Sequence, residues 1–147
     1  MGLFTSQSES SPTVATDSGT KFRLLVADDD PHDRLLFGMA ADESGHDLDV
    51  HFVDDGLEAL EYLRTEGAVD VVILDLRMPR CDGHEVLAAM AADPELQDIA
   101  AIVFSNSRRD QDIETSVESG ALWHAVKPST YEDLVEFVNS VVSHCSS

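Results

Sequence analysis

Five apolar runs punctuate the chain, at residues 22–27, 48–53, 69–74, 99–104 and 122–126, and stretches with helical spacing follow each of them. Leu24-Leu25-Val26 and Val71-Val72-Ile73-Leu74 are continuously apolar. A strand covered on one face alternates between apolar and polar residues, whereas a strand covered on both faces does not. The first and third runs are therefore predicted to be central strands of a parallel sheet.

Five helices are predicted after the strands. The first has Asp30 as its N-cap and Pro31 at its first position, with Leu35, Leu36 and Met39 expected on one apolar face. The second follows Asp55-Gly56 and turns Leu57, Leu60 and Leu63 inward. The third opens after Asp82, carries Val86, Leu87 and Met90, and stops before Pro94. Ile113 and Val117 mark the fourth, which ends at Gly120. The capping-box pattern Ser129-Thr130-Tyr131-Glu132 opens the fifth, where Leu134, Val138 and Val141 share one face.

Strict β-α alternation over five units predicts an α/β fold with a doubly wound, flavodoxin-like parallel sheet. The order 2-1-3-4-5 is the natural expectation for five strands. Residues 1–20 are rich in Ser and Thr with little to bury, so a disordered tail is expected there. One domain is expected over 21–147.

Charge narrows the function. The chain has 147 residues, 29 of them acidic and 9 basic, for a net charge of −20. Such a surface argues against binding nucleic acid or an anionic membrane. Lys21 and Lys127 are the only lysines. The acidity also suits a salty cytoplasm, although a plainly acidic soluble protein is the simpler reading. Cys81 and Cys145 have no metal-ligand spacing and are read as reduced thiols. No apolar run approaches the roughly 20 residues of a membrane-crossing helix. The first residues lack the basic and apolar stretches of a secretory signal, so a cytoplasmic protein is expected. The start Met1-Gly2-Leu3-Phe4-Thr5-Ser6 fits a myristoylation pattern, which is read as a chance match.

In doubly wound sheets, ligands bind beyond the carboxyl ends of the strands. The first strand ends in Asp28-Asp29-Asp30, the third in Asp75, the fourth in Ser105 and the fifth in Lys127-Pro128. Crowded carboxylates repel unless a cation joins them, and an all-oxygen set favours a hard ion such as Mg²⁺. Lys127 and Ser105 would neutralise and hold a phosphoryl group beside that ion. Asp75 ends the most continuously buried strand and is the best nucleophile candidate.

These pieces resemble the receiver domain of two-component response regulators. The likeness rests on Leu24-Leu25-Val26-Ala27-Asp28-Asp29-Asp30-Pro31, Leu74-Asp75-Leu76-Arg77-Met78-Pro79-Arg80-Cys81-Asp82-Gly83, Phe104-Ser105-Asn106 and Lys127-Pro128. Each motif is weak alone, but all four in order are specific, and they cover residues 21–143. The resemblance implies that Asp75 is the phosphoacceptor. Asp28, Asp29, Asp75 and the backbone carbonyl of Arg77 would surround Mg²⁺, with Asp28 acting mainly through water. Ser105 is implied to be the switch hydroxyl and Lys127 the phosphoryl contact, aimed inward by a cis bond to Pro128.

Three positions depart from the commonest pattern. Arg77 is often smaller or uncharged, and Asn106 stands where Ala or Gly is frequent. His124 replaces the switch aromatic, so the familiar aromatic rotation is not expected unchanged. Trp123 and His124 are assigned to a switch or partner surface, with partial core packing the alternative for both. The other histidines have no ligand spacing and receive no role.

The function expected is a single-domain response regulator. It would accept a phosphoryl group from a histidine kinase or phosphotransfer protein and signal in trans to a downstream protein, as a monomer or a phosphorylation-dependent dimer. The short chain is taken to leave no room for an output domain. Two alternatives share the fold: an intermediate in a phosphorelay, and an adaptor independent of phosphorylation. An enzyme is disfavoured. The first strand-to-helix turn lacks the Gly-rich dinucleotide fingerprint, and Arg77 stands where an aspartate-based phosphatase needs a second acid.

Overall fold

The computed structural model describes residues 21–66 and 69–145. The expected tail over 1–20 lies outside them. Five strands, β1 (Phe22–Ala27), β2 (Leu48–Val53), β3 (Val71–Leu74), β4 (Ala100–Ser105) and β5 (Trp123–Val126), alternate with five helices. The helices are α1 (Pro31–Glu43), α2 (Gly56–Glu66), α3 (Gly83–Ala92), α4 (Asp110–Glu118) and α5 (Tyr131–Cys145). All neighbouring strands pair in parallel, in the order β2-β1-β3-β4-β5. This is the expected doubly wound sheet.

The sheet separates two apolar layers. Leu25, Ala27, Val72, Leu74 and Val103 face Leu60, Leu63, Val86 and Met90 of α2 and α3. Leu24, Val26, Ile73, Ile102 and Phe104 face Phe37 of α1 and Leu134, Val138 and Val141 of α5. Burial of β3 on both faces explains its unbroken apolar run.

Several helix faces differ from expectation. Leu35 and Met39 are 62% and 49% exposed, and α1 instead buries Phe37, Ala40 and Ala41. Small Ala side chains let the helix approach the sheet closely. Phe37 fills the remaining space, edge-on to Phe52 and Phe104. Leu57 and Val117 are likewise exposed. Helix α4 fully buries only Ser116, which it holds in a polar network rather than an apolar seam. Thr130, not Ser129, caps α5 by accepting from the Asp133 amide. The reciprocal capping box occurs at α3, between Asp82 and Glu85.

Two glycines fix the segment that follows β3. A Cβ on Gly83 would stand 2.7 Å from the Asp75 carbonyl oxygen. A Cβ on Gly56 would stand 2.3 Å from the Cys81 carbonyl oxygen, which the Gly56 amide now reaches at 3.1 Å. Only glycine allows α2 and α3 to close this tightly on the loop.

Candidate functional site

The sheet ladder itself assembles the strand ends. Beyond the last paired residues, the Asp28 amide donates to Val53 and the Asp75 amide donates to Ala27. Asp28 and Asp75 therefore leave adjacent strands side by side. The Lys127 amide donates to the Ser105 carbonyl, which carries the lysine over the same edge. Asp28, Asp29 and Asp75 each present a carboxylate oxygen, and these atoms lie within 4.8 Å of one another. Asp28 and Asp75 are buried and Asp29 is exposed.

Lys127 closes the cluster. Its Nζ donates to Asp33 at 2.7 Å, Asp28 at 2.9 Å and Asp75 at 3.0 Å. Phe104 lies beneath the ammonium, 5.9 Å from nitrogen to ring centroid. Burial alone would lower the Lys127 pKa, but the three carboxylates outweigh it and hold the ammonium well above the ordinary lysine value. Asp28 shifts the other way from a typical ion-paired acid. Burial raises its carboxyl pKa, and the Asp30 amide and Lys127 offset this only in part.

Local turns aim the remaining groups. The Asp30 amide donates to Asp28 Oδ1, and the Arg77 amide donates to Asp75 Oδ1. The second bond folds the Arg77 amide, two residues on, back to the acceptor candidate, while the Arg77 side chain faces solvent. Asp30 acts as the N-cap, as expected, accepting from the His32 and Asp33 amides. Three carboxylates on one edge form an all-oxygen donor set that fits a hard divalent cation.

Ser105 is buried at the end of β4, and its hydroxyl accepts from the Ser107 amide at 3.1 Å. It is thus engaged with its own loop. Trp123 is half-buried against the α5 layer and meets His144 edge-on, which favours the packing alternative for it. His124 belongs to a polar chain instead. Its Nδ1 lies 3.1 Å from Ser116 Oγ and its Nε2 lies 3.2 Å from the Ser107 carbonyl. His84, given no role from sequence, reaches the same Ser116 hydroxyl from α3.

Sequence reasoning missed two further groups. Asp33 completes the lysine's shell from the first turn of α1. Its position four residues after Asp29, on the helix that opens at the site, was the available signal. The second is the Asp55–Arg80 pair. Arg80 Nε donates to Asp55 Oδ2 at 2.8 Å from a backbone with φ +67°, so a strained residue clamps the β3–α3 loop to the start of α2.

Comparison with known proteins agrees with this geometry. The family described as the response regulator receiver domain matches residues 24–139. A probable methanogenesis regulatory protein, FilR2 of Methanothrix harundinacea, is 33% identical over 123 residues, covering 80% of this chain and 79% of that protein. Among solved structures, the phosphorylated cyanobacterial phytochrome response regulator RcpA is similar at a TM-score of 0.79 and 29% identity, over 86% of this chain and 95% of the other. The Mn²⁺-bound form of response regulator Rcp1 gives 0.75 at 26% identity, over 86% and 96%. The four motifs at the strand ends and the match over most of the described fold lead to one conclusion: the chain belongs to the response regulator receiver-domain family.

Proposed function

We propose that this receiver domain is a phosphorylation switch in which Asp75 accepts a phosphoryl group from a histidine kinase or phosphotransfer protein. The observation that carries the reading is Lys127 Nζ held 3.0 Å from Asp75 Oδ2 inside a three-carboxylate cluster. An Asp75 oxygen attacks the donor's phosphorus. The new O–P bond forms as the donor's N–P bond breaks, and the departing imidazole keeps the bonding pair and takes up a proton.

Asp28, Asp29, Asp75 and the Arg77 carbonyl would hold Mg²⁺, which supplies charge neutralisation for the transferring group. Lys127 neutralises a further phosphoryl oxygen. Ser105 exchanges its Ser107 partner for the phosphoryl group, and this change biases the face of α4, β5 and α5 towards a downstream protein. The reaction is stoichiometric, so the domain catalyses only its own phosphorylation and dephosphorylation. Its acidic surface fits a cytoplasmic protein whose partners are proteins rather than nucleic acid, acting as a monomer or a phosphorylation-dependent dimer.

Incubation with phosphorylated histidine kinases, with and without Mg²⁺, tests the reading. Label on the wild-type chain that needs Mg²⁺ and disappears in Asp75→Asn is expected. Label surviving in Asp75→Asn would refute the site, and steady turnover of phosphate esters would refute the switch.

A further inference from the structure

The ammonium of Lys127 has three N–H donors, and three carboxylates already take them. Two of the acceptors, Asp28 and Asp75, belong to the carboxylate cluster with Asp29. Asp33 does not, and among the described residues its carboxylate pairs with the lysine alone, through the shortest of the three contacts at 2.7 Å.

The Asp33 side chain is 29% exposed, against 6% for Asp28 and 11% for Asp75. Asp33 is therefore less desolvated than either of them. The positive end of the α1 dipole favours its negative charge in the first turn. The helix cap also fixes the direction of approach, because Asp30 Oδ1 accepts from the Asp33 amide.

These groups respond differently when a phosphoryl group arrives. Asp75 loses its carboxylate charge on becoming an acyl phosphate, so its hold on the lysine weakens. Asp33 keeps its charge and its contact. It therefore remains a competitor for the cation that the phosphoryl oxygens need.

We infer that Asp33 is a positioning residue that restrains Lys127 and lowers the site's affinity for a phosphoryl group. The inference rests on the proposed function, since it assumes that Lys127 is a phosphoryl contact. Asp33 would bias the domain towards its unphosphorylated state and shorten the life of the phosphorylated one.

The test is titration of the full chain with beryllofluoride, a phosphoryl mimic, at saturating Mg²⁺. Intrinsic fluorescence of Trp123 or backbone NMR shifts report binding. Asp33→Asn keeps an oxygen acceptor and loses the charge, so binding should tighten roughly tenfold, as expected for removing one charge a few ångströms from the responding cation. Asp33→Ser, which also suits a first helical turn, should tighten binding similarly. Asp33→Glu restores the charge and should return the affinity towards wild type. The tightening should shrink at high salt, which a loss of helix stability alone would not produce.

Equal or weaker binding by both neutral variants would overturn the inference while leaving the receiver reading intact. Failure of the wild-type chain to bind beryllofluoride at all would overturn that reading, and the inference with it.

Discussion

His124 Nε2 lies 3.2 Å from the Ser107 carbonyl oxygen, so β5 is tied directly to the loop that carries the Ser105 hydroxyl's partner. The same ring meets Ser116, whose hydroxyl also contacts the Asp112 carbonyl and His84. Helices α3 and α4, strand β5 and the β4–α4 loop thus share one hydrogen-bonded chain. A phenylalanine ring at this position could pack but could not make these bonds.

His124→Leu should therefore loosen the loop. It leaves Ser116 and the Ser107 carbonyl short of a partner, which costs about 1–3 kcal/mol for a buried polar group. Hydrogen exchange at the Ser107 amide should accelerate, and chemical denaturation should show the lost stability. Labelling of Asp75 by a small phosphodonor should persist, because no atom of the carboxylate cluster is touched. Unchanged exchange at Ser107 would show that His124 does not hold the loop.

Gly83→Ala should disturb Asp75 from behind. The added carbon would meet the Asp75 carbonyl oxygen at 2.7 Å and Leu76 Cα at 3.2 Å, and both are backbone atoms. Relief requires moving the loop that also bears Arg77. A loss of about 1–3 kcal/mol, typical of overpacking, is expected in urea denaturation, with slower phosphorylation.

Asp55 gives the fold a defined pH dependence. Burial would raise its carboxyl pKa, but the Glu58 amide and the Arg80 guanidinium outweigh burial and hold it below the ordinary carboxylate value. A folded-state pKa below the unfolded one stabilises the protein above the unfolded value, about 3.9 for an aspartate. That contribution is lost as pH falls through the folded value. Asp55→Asn keeps helix-capping ability and removes the charge. The variant should melt below wild type at neutral pH, and the two should converge as the pH is taken below the ordinary aspartate range. A constant difference across pH would assign the loss to geometry rather than charge.

Much of this was legible in the chain. Apolar runs marked all five strands, and the residues just beyond them marked the side chains that the sheet brings together. The bounds were less legible, because partners set strand length. The third apolar run starts at Val69, yet β3 begins at Val71, where it pairs with Ala100 of β4. The fifth run starts at Leu122, which lies exposed before β5. Ranking residues by hydrophobicity favoured Leu35 and Met39 over Ala40 and Ala41. Close helix–sheet contact required the small residues instead. Asp33 escaped notice because its meaning comes from a lysine 94 residues away, and Arg80 because its partner lies 25 residues earlier on another element.

The most direct measurement is the mass and peptide map of the chain after treatment with acetyl phosphate and Mg²⁺. One phosphoryl group per chain, located at Asp75 by borohydride trapping and absent from Asp75→Asn, is the expected result. A wild-type chain that stays unmodified with acetyl phosphate and every kinase donor, or a phosphoryl group mapped to another residue, would contradict it.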